Sequence, residues 1–290
     1  MALLVIFSHS FVLSGHISEP LVAESGDQVS LGFVAVLGFF GLSGWLLVGS
    51  RQRTRTPAFL RNRALRIFPA YWVALMFGAL VSLAQGATLD AAVGYVASNL
   101  TILMPGEHTI APAFGGAAVN GALWTLGPEL WCYVALALTP VRWLRPMTVG
   151  LGISFVVGWY VIGGFEVLLF VAFATGAAAR LFAIPTRWWS VLAAVVAFRL
   201  HLTPLACASV AFAALSLMHL PFRMRRDLSY GTYVFAYPVM LALPVVNTWL
   251  ATAMTVAVVL PMAWASWTFI EAPAIRLSRH GHRLAARPST

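Results

Sequence analysis

Lysine is absent from this chain of 290 residues, and acidic residues number only nine. All 18 basic residues are arginines, and just 9% of the chain is charged, whereas a soluble domain carries about 25%. So little charge excludes an ordinary water-soluble globule, a disordered chain and a coiled coil. Cysteine is also scarce: Cys132 and Cys207 are the only two, both in apolar runs. Two such thiols form neither a disulfide framework nor a metal motif, and a packing role is expected for both. What the chain does have is 60% hydrophobic residues. They run on continuously instead of alternating, which argues against an outer-membrane barrel. The remaining class is an all-α, polytopic bundle of membrane helices. At about 20 residues per span the chain holds at most about ten, with no room for a separate soluble domain.

The net charge of +9 would suggest nucleic acid in a soluble protein. Here the arginines sit between apolar runs, where they orient helices, so membrane lipids and not nucleic acid are the expected surroundings. Spans are predicted near 1–14, 29–49, 65–84, 121–139, 147–162, 165–183, 188–200, 203–220, 230–247 and 250–270. Residues 85–120 form a long connection, whose apolar part (91–104) reads as an interfacial helix. With the N-terminus inside, 17 of the 18 arginines fall on the cytoplasmic side. That bias predicts ten transmembrane helices with both termini cytoplasmic. Residues 1–271 then form one integral-membrane domain, followed by a basic cytoplasmic tail at 272–290. The opening MALLVIFSHSFVL has no basic n-region and no cleavage site, so it is not read as a signal peptide. It is short for a span, and further chain upstream is expected.

Ionisable groups inside a membrane are costly and mark candidate sites. His9, Glu129 and Glu271 stand out, with Asp227 at the start of a span, where it also fits an N-cap. His9, between Ser8 and Ser10, is either a packing histidine bonded to another helix or a general base. Glu129 follows Pro128, which loosens a helix, and needs a partner such as His9 or an arginine. Arg63 and Arg66 lie three apart on one helix face and enter a span, so they suit phosphate better than a pure topology signal does. Arg51 to Arg55 are explained by topology alone. Ser43 in GLSGW lacks the G-x-S-x-G spacing of a nucleophile elbow, and Gly38, Gly41 and Gly44 read as a close-packing face. NLT at 99–101 is a weak glycosylation sequon.

Six segments in order resemble the acyltransferase 3 family of integral membrane acyltransferases. They are LLVIFSHS; GFFGLSGWLL; FLRNRALRIFPAYW, for R-x-x-R-I-x-P-x-Y-W; SNLTIL with LWTLGPELWCYV, for L-W-S-L-x-x-E-x-x-F-Y; DLSYGTYVFAYPV, for D-x-S-Y-G-x-Y-L-x-H-x-P; and FIEAPAIRL, for the closing E-x-P. The resemblance spans almost the whole chain. It implies transfer of an acyl group, most often acetyl from acetyl-CoA, to hydroxyls of cell-surface carbohydrates or other exported or lipid-linked acceptors, in the bacterial inner membrane and without a metal. His9 matches the family's catalytic histidine and Glu129 its motif glutamate. Arg63 and Arg66 match the arginines associated with the acyl-CoA donor. Two positions depart from the pattern. An arginine eleven residues before the histidine would precede Met1, and Ala236 stands where the family has a second histidine. These departures also leave open a catalytically inactive scaffold. A proton-coupled transporter or flippase using His9 and Glu129 is the main alternative, although the chain shows no internal repeat.

Overall fold

The computed structural model describes residues 1–14, 19–25, 28–102, 110, 118–219, 226–244 and 247–277. Among these the chain forms twelve α-helices. They are α1 (Ala2–Ser14), α2 (Pro20–Ser25), α3 (Leu31–Arg53), α4 (Thr56–Ala84), α5 (Leu89–Ser98), α6 (Leu126–Leu138), α7 (Leu144–Val161), α8 (Phe165–Leu181), α9 (Ser190–Arg199), α10 (Thr203–Ser216), α11 (Ser229–Ala242) and α12 (Thr248–Ser266). A π turn, Trp267–Glu271, extends α12.

Local chemistry sets the helix starts. Ser30 Oγ accepts from the Phe33 N–H at 3.0 Å to cap α3, and Asn247 caps α12 through the Leu250 N–H at 2.8 Å. Glu19, which is buried, accepts from the Leu31 N–H, placing a carboxylate at the positive end of α3. Helix α3 is the centre of the bundle, packed against α1, α6, α8 and α10. It runs beside α8 in the same direction. The Phe33 and Phe165 rings meet near the start of both helices, and Arg180 lies over Trp45 near their ends.

Glycine makes this pairing possible. A Cβ on Gly176 would stand 1.9 Å from the Gly41 carbonyl oxygen, and one on Gly44 would stand 2.1 Å from the Phe173 carbonyl oxygen. Backbone touches backbone, as in small-residue crossings of membrane helices. Because neither side has a flexible side chain to yield, Gly176→Ala is expected to cost about 3 kcal/mol, the upper part of the usual overpacking range. Thermal unfolding in detergent reads this directly, and an unchanged midpoint would show that the two helices separate freely.

The expectation of ten transmembrane helices is corrected by the structure. Among the described residues, four helical segments are long and apolar enough to cross a membrane: Leu31–Arg53, Thr56–Ala84, Val141–Val161 and Thr248–Leu277. The fold is all-α and of a multi-pass membrane type, but other apolar runs fold into shorter pieces. A helix of 13 residues such as α1 reaches only about 20 Å at 1.5 Å per residue, short of a hydrocarbon core about 30 Å thick. The predicted span at 188–200 contracts to α9, which stops where His201 takes φ +57°. The predicted fourth span starts at Leu126, after a 3-10 turn, so Pro128 lies in the first helical turn of α6 and does not interrupt a longer helix. Conversely, the third predicted span lengthens: α4 begins at Thr56 and carries Arg61, Arg63 and Arg66 on helix. Residues 278–290 of the predicted tail lie outside the described residues, as do Asp27, Glu107, Arg223 and Arg225.

Arg51 is also more than a topology signal. It is buried; its Nε donates to the Leu136 carbonyl at 3.0 Å and its Nη2 to the Thr139 carbonyl at 3.2 Å. A cation thus caps the C-terminal end of α6. The sequon is closed off: Asn99 is buried and its amide donates to the Tyr95 carbonyl at 2.8 Å. Both cysteines are free and buried.

Candidate active site

A cavity of about 300 Å³ lies between α3, α4, α6 and the start of α11. Helix α4 supplies Arg63 and Arg66, α6 supplies Glu129 and Tyr133, α3 supplies Ser43, and α11 supplies Tyr230 and Tyr233. Three residues singled out from the sequence, Glu129, Arg63 and Arg66, therefore share one cavity.

Glu129 sits in the first turn of α6, where its charge meets the positive end of the helix. Its partners are neither His9 nor an arginine side chain in bonding range. Its Oε1 accepts from Tyr133 Oη at 2.5 Å and from Ser43 Oγ at 3.2 Å. Tyr133 lies one turn along the same helix, so spacing alone favours the contact. Ser43 comes from α3, and only the glycine-permitted approach of neighbouring helices around α3 brings it near.

Arg66 is held by two carboxylates. Its Nη1 donates to Glu271 Oε2 at 2.7 Å and its Nη2 to Asp227 Oδ2 at 2.5 Å. Its guanidinium also lies over the rings of Tyr230 and Trp267, at 5.5 and 5.6 Å. Glu271 is fully buried and takes a further hydrogen bond from Ser266 Oγ at 2.9 Å. Asp227 uses its other oxygen to accept from the Ser229 N–H and hydroxyl. It thus starts α11 from a position just before the cap, as its polar side chain suggested. Arg66 consequently ties α4 to α11 and to the turn after α12. Arg63 contrasts with it, because its buried Nε has no hydrogen-bond partner.

His9 stands apart from the cavity lining. It is half-buried on α1, with its ring edge-on to Tyr237 at 5.2 Å between centroids. Tyr237 follows cavity-lining Tyr233 by one turn of α11, so the two sites adjoin along that helix. A Cβ on Gly121 would come within 2.7 Å of the Tyr237 ring, so the glycine leaves room for it. Ala236 is buried in an apolar cluster with Ile6, Val239, Met240 and Val259. The position where a second histidine was expected is therefore part of the packing between α1, α11 and α12.

Sequence reasoning found the charged residues here but missed their partners. Asp227 and Glu271 lie 161 and 205 positions from Arg66, and nothing in a single sequence pairs segments so far apart. The E-x-P and D-x-S-Y motifs were the available signal, without an indication that they meet.

The chain belongs to the acyltransferase 3 family, since the family model, described as an acyltransferase domain, matches residues 1–270. It is a membrane-associated enzyme of the acyltransferase type. Nodulation protein 10 of Rhizobium leguminosarum bv. viciae is 25% identical over 94% of this chain and 90% of its own length. The exopolysaccharide production protein ExoZ of Rhizobium meliloti (strain 1021) is 30% identical over 48% of this chain and 45% of its own. An O-acetyl transferase of Shigella phage Sf6 is 33% identical over 46% of this chain and 41% of its own. No solved structure matches the chain.

Proposed function

We propose that this protein transfers an acyl group, acetyl in the first instance, from acyl-CoA to a hydroxyl of a cell-surface carbohydrate or other exported or lipid-linked acceptor, in the bacterial inner membrane. The observation that carries this reading is the cavity that gathers Glu129, Arg63 and Arg66 in a chain of this family. A cavity with a free guanidinium edge on one wall and a carboxylate on another suits an anionic donor and a proton-transfer reaction. The names of ExoZ and the phage O-acetyl transferase support a carbohydrate acceptor and acetyl transfer.

In this reading Arg63 grips donor phosphate, and Arg66, committed to Asp227 and Glu271, shapes that end of the cavity. The flexible arm of the CoA donor would carry the thioester along α11, past Tyr233, toward His9. His9 acts as general base: it takes the proton of the acceptor hydroxyl as its oxygen attacks the thioester carbonyl. The tetrahedral adduct then collapses, the carbon–sulfur bond breaks, and the proton passes from His9 to the departing CoA thiolate. Glu129, positioned by Tyr133 and Ser43, sets the charge balance of the cavity. Reconstituted protein given radiolabelled acetyl-CoA and a mixed-polysaccharide acceptor should consume the donor and label the acceptor. Substrate movement across the vesicle without donor consumption would replace this reading by that of a carrier.

Arg63 gives a graded test. Arg63→Lys keeps the charge but loses the planar fork, and should weaken acyl-CoA binding by about 1–3 kcal/mol, the range of hydrogen bonds to charged groups. Unchanged donor affinity in this variant would take Arg63 out of the donor site.

A further inference from the structure

The glycine-packed pair α3 and α8 ends with two arginines converging on one spot. Arg53 Nη1 and Arg180 Nε lie 3.3 and 3.2 Å from where a side chain at Gly49 would begin. The missing side chain leaves the space between them open. Arg180 is fixed by stacking on Trp45, its guanidinium 4.6 Å from the ring centroid. Among the described residues no carboxylate forms an ion pair with either arginine. The nearby start of α7 adds Arg145, over the ring of Phe182 just past the end of α8.

Helix dipoles favour cations at these C-terminal ends, but they act on each arginine separately. They do not account for two guanidinium groups facing one gap. An anion between them removes the mutual repulsion and takes donated hydrogen bonds from both. We propose that Arg53 and Arg180 form a binding site for a phosphate-ester anion over Gly49. Its planar forks suit a tetrahedral phosphate presenting two oxygens. Position adds to the argument. Arg53 lies seven residues after cavity-lining Leu46 on α3, two turns further along the same helix face. The site therefore lies just beyond one end of the Glu129 cavity, where either a lipid headgroup phosphate or a nucleotide phosphate can reach it.

The test uses two probes on the purified full chain. In detergent, adenosine 3′,5′-bisphosphate is titrated and the thermal midpoint followed. In nanodiscs, the midpoint is compared between phosphatidylglycerol and phosphatidylcholine bilayers. At least one phosphate probe is expected to raise the midpoint, and added salt should reduce the effect. The Arg53→Gln/Arg180→Gln variant should lose that response, while the exposed control Arg187→Gln keeps it. Because Arg180 also packs on Trp45, Arg53→Gln alone provides a milder variant, expected to weaken apparent affinity about tenfold. A response to the nucleotide alone identifies donor phosphate, and a response to phosphatidylglycerol alone identifies lipid; both support the site. No response to either probe, or an equal response in all variants, overturns it. Acyl transfer is not the readout, so failure here leaves the proposed reaction standing, and failure of that reaction leaves a lipid-phosphate site testable.

Discussion

His9→Ala is expected to reduce acyl transfer by about 10²–10⁴-fold, the usual cost of removing a general base, while the protein still inserts, purifies and unfolds near the native temperature. The geometry makes the two halves of that expectation separable. His9 is half-buried and meets Tyr237 edge-on, so its loss removes little packing. Donor affinity should also survive, because Arg63, Arg66 and Glu129 line a cavity that His9 does not. Donor binding and turnover are measured on the same preparation. Turnover within threefold of the native rate would remove His9 from the chemistry, and a loss of binding equal to the loss of turnover would make it part of the donor site instead.

The second large effect is on stability. Arg66→Met should destabilise the fold by about 3–5 kcal/mol, the cost of breaking a buried ion pair from one side. The side chain of Glu271 is 1% exposed; without Arg66 its charge keeps only Ser266 for company. Combining Arg66→Met with Glu271→Gln should recover part of the loss, since the stranded charge is then gone. Additive losses in the double variant would show that the two residues act independently. The contrast with Arg63→Lys is diagnostic: that substitution should leave the unfolding midpoint almost unchanged, because Arg63 Nε holds no partner in the fold.

Some of this was legible in the sequence and some was not, for identifiable reasons. The spacing of Gly38, Gly41 and Gly44 announced a helix face meant for close approach, and α3 uses that face against α8 and α10. The chemical identity of the cavity wall was visible too, because charge is rare enough in this chain that each ionised residue inside an apolar run is conspicuous. Helix length was not visible. Hydropathy reports which residues avoid water, but not where a 3-10 turn, a left-handed residue such as His201 or a packed neighbour stops the helix. Partnerships were equally hidden. Arg51 read as one more arginine of a topology cluster, yet it caps α6 at carbonyls 85 and 88 positions away. A cation beside a helix end in space cannot be told from a cation beside a membrane by counting along the chain.

The π turn at Trp267–Glu271 has a consequence for how this chain tolerates change. A π turn holds one residue more than the α-helix it interrupts, so it shifts the angular phase of everything after it. Deleting a single residue from Trp267 to Ile270 would let the helix close into regular α geometry. The carboxylate of Glu271 would then swing by roughly 100°, one residue's share of a 3.6-residue turn, and point away from Arg66. Composition and hydropathy would barely register such a deletion. The reach between α4 and the end of α12 would nonetheless be lost, which makes this short stretch intolerant of length changes even where its individual side chains can vary.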